Sequence, residues 1–261
     1  MNIYFIDTLE LTYSSDFDDI IKLTKNFKMV DPKKGAGNKE FISTELSGMG
    51  IIIKTRRSSK AELYKNSNKY KLVLKINPNK FYKPYMKTEH ISNIIEFCDM
   101  VERLDMQIQY CFSGLTIDDF EITRVDLTED IHGIPEDKIT QYIRIMRQLY
   151  LTLGFHHNKK LEENTEDFDP DSSFNAVNDS KKVEFVVYNK GHEVRSKKNS
   201  SDEQKEHYKD TMRVEVRCRK KFADKLSEKA YTAQKLVEIY RMRMEVIRDV
   251  FDDVFVLNKD S

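Results

Sequence analysis

A tyrosine and a lysine stand two residues apart in the run Val183–Lys190, which reads Val-Glu-Phe-Val-Val-Tyr-Asn-Lys. The run alternates apolar and polar residues and is rich in β-branched and aromatic types, so it predicts a strand with Tyr188 and Lys190 on one face. A tyrosine hydroxyl, whose ordinary pKa is about 10, is a weak nucleophile until a cation stabilises its phenolate. Lys190 could supply that charge, and the pair therefore points to nucleophilic chemistry at Tyr188.

Two other segments, Ile122–Thr128 and Met212–Cys218, show the same alternation of one apolar and one charged face. We expect the apolar sides of the three strands to pack against a helix. These packing residues are Val125, Leu127, Val183, Phe185, Val187, Val214, Val216 and Cys218. The opposite side carries Arg124, Asp126, Thr128, Glu184, Tyr188, Lys190, Arg213, Glu215 and Arg217.

The carboxylates of this charged face could bind a metal ion. If the three strands are neighbours, Asp126 and Glu215 come within reach of Tyr188. With Glu193 they would hold a hard divalent cation, Mg²⁺ or Mn²⁺, which polarises a phosphodiester and offsets its charge as the bond breaks. The same pattern is also typical of the solvated face of an amphipathic sheet, so the pattern alone leaves both interpretations open.

An aromatic and basic run, Lys80-Phe-Tyr-Lys-Pro-Tyr85, suggests contact with nucleic acid. Bases of single-stranded DNA stack on aromatic rings such as that of Tyr82, while Lys80 and Lys83 would meet phosphates. The alternative is a loop whose aromatic side chains pack against the core.

Composition sets limits on the class of protein. The chain has 261 residues, 39% of them hydrophobic, and its 44 basic and 44 acidic residues cancel, so overall charge gives no argument for nucleic-acid binding. Cys98, Cys111 and Cys218 have no Cys-x-x-Cys spacing, which argues against a disulfide framework or a zinc site. No stretch approaches the roughly 20 apolar residues of a membrane helix, and the first residues do not resemble a secretory signal. We therefore expect a cytoplasmic protein without a membrane partner.

Periodicity gives the elements that must position these residues. The predicted upstream strands are Asn2–Leu11, Phe41–Leu46, Gly50–Arg56 and Tyr70–Ile76. The predicted helices are Asp16–Lys25, Glu89–Leu104 capped by Thr88, a helix from Pro135 to Gly154, and one or two within Lys220–Val256. The acidic, aperiodic stretch Asn158–Asp179 is predicted to be a long loop.

These elements predict an α+β fold with an antiparallel or mixed central β-sheet and helices packed on one face. We expect one domain over residues 1–219, built from two β-α halves at 1–118 and 119–219 with an acidic loop at 158–180, followed by a helical segment at 220–261. Whether the two halves are related to each other is left open, because no repeat is evident by residue identity.

Three motifs, Phe120–Asp126, Phe185–Glu193 and Met212–Arg217, occur in this order along the chain. Together they resemble the rolling-circle replication initiators of filamentous phages and the trans-acting Rep initiators of small plasmids. The upstream segments Gly48–Lys54 and Tyr70–Pro78 look like the paired early strands of that family.

The resemblance implies a metal-dependent endonuclease that nicks one DNA strand at an origin. Tyr188 would stay joined to the 5′ phosphate, leaving a 3′ hydroxyl for a polymerase. By the same resemblance Asp126 matches the aspartate of an Arg-x-Asp motif, and Lys190 and Glu193 match the lysine and glutamate after the tyrosine. Glu215 matches the acidic residue of the following strand. The residues expected to hold phosphates or to orient these carboxylates are Arg124, Arg213 and Arg217.

One feature of better-known rolling-circle enzymes, a His-hydrophobic-His metal pair, is absent, because His156 and His157 are adjacent. The phage and plasmid families above manage with acidic ligands. Glu193 stands at an odd spacing from Tyr188, which needs a kink that Gly191 could supply.

The implied partners are origin DNA, single-stranded or as a supercoiled duplex, and a host helicase and polymerase, with a homodimer left open. One alternative is a non-catalytic origin-binding protein that recruits a replisome. Another is a structural or regulatory protein whose charged sheet face binds a protein partner and that has no affinity for DNA.

Overall fold

The structure is a computed structural model, and it describes residues 2–30, 39–42, 44–57, 69–86, 88–157, 173–180 and 182–255. The chain divides into two compact units that each combine distant segments. Unit 1 consists of residues 1–5, 126–222 and 241–261, and unit 2 of residues 6–125 and 223–240. No helix in the described ranges is long and apolar enough to cross a membrane.

The strands are β1 (Asn2–Asp16), β2 (Lys28–Val30), β3 (Lys39–Ile42), β4 (Ile51–Arg57), β5 (Lys69–Ile76), β6 (Glu121–His132), β7 (Phe155–His157), β8 (Ser173–Asn178), β9 (Val183–Asn189) and β10 (Thr211–Arg219). The helices are α1 (Phe17–Leu23), α2 (Thr44–Gly48), α3 (Pro78–Tyr82), α4 (Ile94–Cys111), α5 (Glu136–Gln148), α6 (Lys190–Ser196), α7 (Asp202–His207), α8 (Lys220–Leu226) and α9 (Thr232–Val254). This content of antiparallel strands and helices confirms the predicted α+β class.

In unit 2 the strand order is β2-β3-β4-β5-β1, and each of these neighbours is antiparallel. One face of this sheet is apolar and buried, as the period of two along each strand requires. Its core residues are Leu9, Leu11, Ile51, Ile53, Leu72, Leu74 and Ile76. The predicted strand Phe41–Leu46 is wrong in its second half, because β3 ends at Ile42 and α2 begins at Thr44.

Helix α4 begins later than the sequence suggested. Thr88 is not its cap; Asn93 is, and its side chain accepts a hydrogen bond from the backbone nitrogen of Glu96. The preceding segment is fixed outside the helix because the backbone nitrogen of Ile91 donates to Asn79 Oδ1 at 2.8 Å. A tertiary contact thus overrides the helical periodicity that begins at Glu89.

In unit 1 the strand order is β6-β10-β9-β8-β7, and the pairs β10–β9, β9–β8 and β8–β7 are antiparallel. The predicted apolar face is confirmed, and α5 packs against β8, β9 and β10. Helix α5 follows Pro135 as expected but ends at Gln148, well before Gly154, and Leu153 is fully exposed. The face that α5 does not cover is the charged one, which carries Tyr188.

The predicted loop Asn158–Asp179 contains a strand that the sequence analysis missed. β8 lies between β7 and β9, and its residues Phe174 and Ala176 are fully buried. The sequence analysis predicted a loop over the whole stretch because acidic residues precede this short strand. Residues 158–172 of the predicted loop lie outside the described residues.

Candidate active site

Tyr188 and Glu215 lie on one face of the paired strands β9 and β10. In the antiparallel register Tyr188 is opposite Arg213 and Glu215 is opposite Val186, so the two side chains are diagonal neighbours. The Tyr188 hydroxyl donates a hydrogen bond of 2.7 Å to Glu215 Oε1. Glu215 is buried and Tyr188 is half-buried. The structure therefore places a carboxylate where it can take the proton of the candidate nucleophile.

Arg217 fixes this carboxylate from its other side. Glu215 Oε2 accepts hydrogen bonds from Arg217 Nε at 3.1 Å and from Nη2 at 2.9 Å. Arg217 Nη1 lies 3.6 Å from Glu184 Oε2, and Glu184 Oε1 accepts from Asn175 Nδ2 at 2.8 Å. Burial alone would lower the pKa of the guanidinium, but the charges of Glu215, Glu184 and Asp126 outweigh it and hold the pKa above its ordinary value. Arg217 is therefore always charged and orients Glu215.

Lys190 lies beside the ring of the tyrosine. Its ammonium group is 5.8 Å from the ring centroid of Tyr188 and 5.4 Å from that of Tyr208, and it donates a 2.6 Å hydrogen bond to Glu193 Oε2. Burial raises the pKa of Glu193, but Lys190 and Lys197 outweigh it and lower the pKa below its usual value. Tyr208 was missed by the sequence analysis, because nothing in its local pattern marks it.

The junction between β9 and α6 sets the position of Lys190. Asn189 caps α6, accepting a hydrogen bond from the backbone nitrogen of His192, and its Nδ2 donates to Glu136 of α5. The odd spacing of Glu193 is thus accommodated by a turn of helix, and the predicted strand kink at Gly191 is wrong. Gly191 is needed for another reason, since a Cβ there would lie 2.7 Å from the backbone oxygen of Tyr208.

Substituting Gly191 by alanine is expected to lower the free energy of unfolding by about 1–3 kcal/mol, the usual cost of overpacking. The added methyl group would meet backbone, which cannot rotate away as a side chain does. Urea denaturation measures the effect, with His192→Ala as the control because His192 is the next residue and is exposed. Equal stability of the two variants would contradict this account of Gly191.

The three predicted metal ligands are Asp126, Glu215 and Glu193. Asp126 is buried on β6, whereas Glu193 lies on α6 and bonds to Lys190 and Lys197. Within the described part of the chain, no group of three or more His, Cys, Asp or Glu side chains could hold a metal ion. One or two carboxylates together with substrate phosphates are the oxygen set that Mg²⁺ usually takes, so Asp126 and Glu215 suit it chemically. The metal site stays a prediction.

Arg213 is deeply buried, unlike Arg217. It is 2% exposed, and its Nε and Nη2 donate to the two carboxylate oxygens of Asp130 at 2.6 and 2.7 Å. Its guanidinium lies over the rings of Phe5 and Tyr208 at 5.2 and 5.7 Å. This burial does not fit the predicted phosphate contact and indicates a structural role.

A family model that describes the N-terminal part of a phage replication-associated protein, the gene II protein, matches residues 6–241, a range that includes all three motifs. The chain belongs to this family. No curated protein matches it. A solved structure titled as the rolling circle replication initiator protein from Geobacillus stearothermophilus is similar, with a TM-score of 0.49 and 11% sequence identity, and the match covers 100% of this chain and 89% of that one.

The remaining predicted DNA contacts of this replication-associated protein lie in unit 2. The Tyr82 hydroxyl donates to Asp99 at 2.7 Å, and Lys83 pairs with two glutamates of the same unit. Lys80 is exposed and donates to a backbone oxygen, while Tyr85 is 95% exposed. Of the aromatic side chains in this run, Tyr85 is therefore the most exposed. The third predicted arginine, Arg124, is half-buried on β6.

Proposed function

We propose that this replication-associated protein initiates rolling-circle DNA replication by nicking one strand at an origin through Tyr188. The observation that carries the proposal is the 2.7 Å hydrogen bond from the Tyr188 hydroxyl to Glu215, whose second oxygen is held by Arg217. A phenol bonded to an oriented, buried carboxylate is a nucleophile with its base already in place. The family match over the whole motif region supports a role in replication.

In the proposed reaction the Tyr188 oxygen attacks the scissile phosphorus while its proton passes to Glu215. A bond forms between the tyrosine oxygen and phosphorus, and the bond from phosphorus to the 3′ oxygen breaks. The 3′ oxygen takes up a proton from solvent and leaves as a hydroxyl, while the 5′ phosphate stays on the tyrosine. The Lys190 ammonium near the ring favours the phenolate as it forms. The linkage conserves the energy of the phosphodiester, so the reverse attack rejoins the strand.

Asp126 and Glu215 would hold Mg²⁺ or Mn²⁺, which when bound supplies Lewis-acid polarisation of the phosphodiester. The partners in this proposal are origin DNA, as a single strand or supercoiled duplex, and a host helicase and polymerase in the cytoplasm of the host cell. A homodimer is compatible with the same chemistry.

Replacing Glu215 by glutamine is expected to slow nicking by about a hundredfold, within the usual contribution of a general base. The amide oxygen can still accept the tyrosine hydrogen bond, but it cannot take the proton. Single-turnover cleavage of an origin oligonucleotide measures the rate. The control is Glu206→Gln, which makes the same change at an exposed position on α7. A Glu215→Gln rate equal to that of the control would exclude Glu215 as the base.

A further inference from the structure

A pocket of about 370 Å³ lies within unit 1, on the face of its sheet opposite to Tyr188. Its floor includes Val187 of β9 and Val214 of β10, which stand opposite each other in the register of the two strands. Its walls come from α5 and from the C-terminal half of α9. Protein interiors contain few voids larger than a water molecule, and ligand pockets measure about 300 to about 1,000 Å³. The pocket therefore has the size of a small-molecule site.

Methionine and aromatic side chains form much of the pocket lining. Met146 of α5, Met212 of β10 and Met244 of α9 lie around the pocket together with the rings of Tyr142 and Phe251. Tyr142 and Met244 are 46% and 43% exposed, so the pocket opens to solvent between the two helices. Aromatic rings and thioether sulfurs both make favourable contacts with a flat aromatic molecule. These walls therefore suit a planar aromatic ligand.

A buried carboxylate also lines this apolar pocket. Glu129 is 8% exposed and shares its face of β6 with the fully buried Leu127, where strand alternation would place another apolar residue. Its Oε1 accepts a 2.7 Å hydrogen bond from Asn2 Nδ2. Burial and a hydrogen bond to Glu129 raise the pKa of the Tyr4 hydroxyl above its ordinary value. Since a carboxylate has about four acceptor sites, Glu129 can accept a further hydrogen bond from a ligand.

Arg248 of α9 also lines the pocket and is exposed. Its charge opposes the rise in the Tyr4 pKa, so the guanidinium lies near the Tyr4 hydroxyl and Glu129. The carboxylate and the guanidinium compensate each other's charge, and the pocket therefore favours a neutral ligand. We propose that this pocket binds a neutral, planar aromatic molecule that donates an N–H or O–H hydrogen bond to Glu129. The proposal goes beyond nicking, because Tyr188 and Glu215 lie on the other face of the sheet.

The test uses the full chain, labelled with carbon-13 at its methionine methyl groups, and two probes of similar size, indole and benzofuran. Indole carries an N–H donor, and benzofuran has an ether oxygen in its place. In an NMR titration the ring current of either probe should shift the methyl signals of Met146, Met212 and Met244. The signal of Met100, which is fully buried in unit 2, should stay unchanged. We expect indole to bind about tenfold more tightly than benzofuran, because hydrogen bonds to charged acceptors are the stronger ones.

Glu129→Gln keeps the size of the side chain but removes its charge, and Glu121→Gln makes the same change at an exposed position of the same strand. The preference for indole should be lost in Glu129→Gln, since its amide nitrogen is a donor and its amide oxygen can be taken by Asn2. It should persist in Glu121→Gln.

The proposal would be overturned if the wild type bound both probes equally, or if Met146, Met212 and Met244 did not shift. An unchanged preference in Glu129→Gln would overturn the role of Glu129. If Glu129→Gln does not fold, the comparison of the two probes on the wild type decides by itself. Because neither DNA nor cleavage enters these measurements, their outcome is separate from that of the nicking proposal.

Discussion

Replacing Tyr188 by phenylalanine is expected to abolish nicking and covalent attachment to DNA. The change removes the nucleophilic oxygen, and we expect the cleavage rate to fall by at least about a thousandfold, or ~4 kcal/mol of transition-state stabilisation. The fold should tolerate the substitution, because the aromatic ring is retained and only the hydroxyl, with its one hydrogen bond to Glu215, is lost. Binding of origin DNA should therefore change little. Labelled oligonucleotide cleavage and filter binding separate the two effects.

The matched control for this variant is Tyr150→Phe, which removes a hydroxyl from a tyrosine that is almost fully exposed in the same unit. It should cleave at the wild-type rate. Cleavage by Tyr188→Phe at a rate near that of Tyr150→Phe would show that another group attacks the phosphodiester. Loss of both cleavage and binding in Tyr188→Phe would instead indicate damage to the fold.

Replacing Asp130 by alanine should destabilise the protein strongly, by about 3–5 kcal/mol, the usual cost of removing one partner of a buried ion pair. Asp130 is fully buried and accepts both hydrogen bonds from Arg213. Without it the buried Arg213 charge, which lies over the rings of Phe5 and Tyr208, would lose the carboxylate that accepts two of its hydrogen bonds. Urea unfolding gives the free energy, and an unchanged m-value would show that the compactness of the two states is unaltered.

The contrast to this variant is Asp202→Ala on α7. Its ion pair with Lys205 has a similar length, 2.9 Å, but Asp202 is fully exposed. An exposed pair contributes little, so the change should be near zero. If Asp130→Ala proved as mild as Asp202→Ala, Arg213 would have to find another partner or reach solvent, and the structural role given to it would be wrong.

The sequence was sufficient to predict the main features of the tyrosine face. Alternation along β6, β9 and β10 fixes which residues share a side, and the antiparallel pairing of β9 with β10 then brings Glu215 to Tyr188. The α+β class followed from the same periodicities. These predictions succeeded because side chains in a strand alternate between its two faces. Several residues of each strand show the same alternation, so together they fix which face is buried.

The sequence could not distinguish residues that share a face but differ in their partners. Arg213 and Arg217 are four residues apart on β10, and the alternation pattern does not distinguish them. In the structure Arg213 is buried and donates to Asp130, whereas Arg217 donates to Glu215. That difference depends on Asp130, which lies 83 residues away along the chain. The sequence likewise could not show that Glu184 is buried, because its partners Asn175 and Arg217 lie on other strands. Long-range packing decides such cases, and a single sequence does not record it.

Local signals failed where tertiary contacts compete with them. Helix α4 starts at Ile94 because Asn79 binds the segment before it, and no local pattern reveals that bond. The sequence analysis missed β8 because acidic residues precede it, although Phe174 does alternate with the polar residues Ser173 and Asn175. The sequence analysis gave Gly191 the role of kinking a strand. The structure shows a different reason for a glycine there, because a Cβ would lie 2.7 Å from the backbone oxygen of Tyr208.

The most direct test of the central claim is to map the residue that becomes linked to DNA. The purified chain is incubated with pools of labelled single-stranded DNA and Mg²⁺ or Mn²⁺, resolved on denaturing gels, and the adduct is digested for peptide mass mapping. The nicking account predicts a 5′-phosphate adduct on the peptide that carries Tyr188. An adduct on any other residue, or binding to the pool without any cleavage, would contradict it.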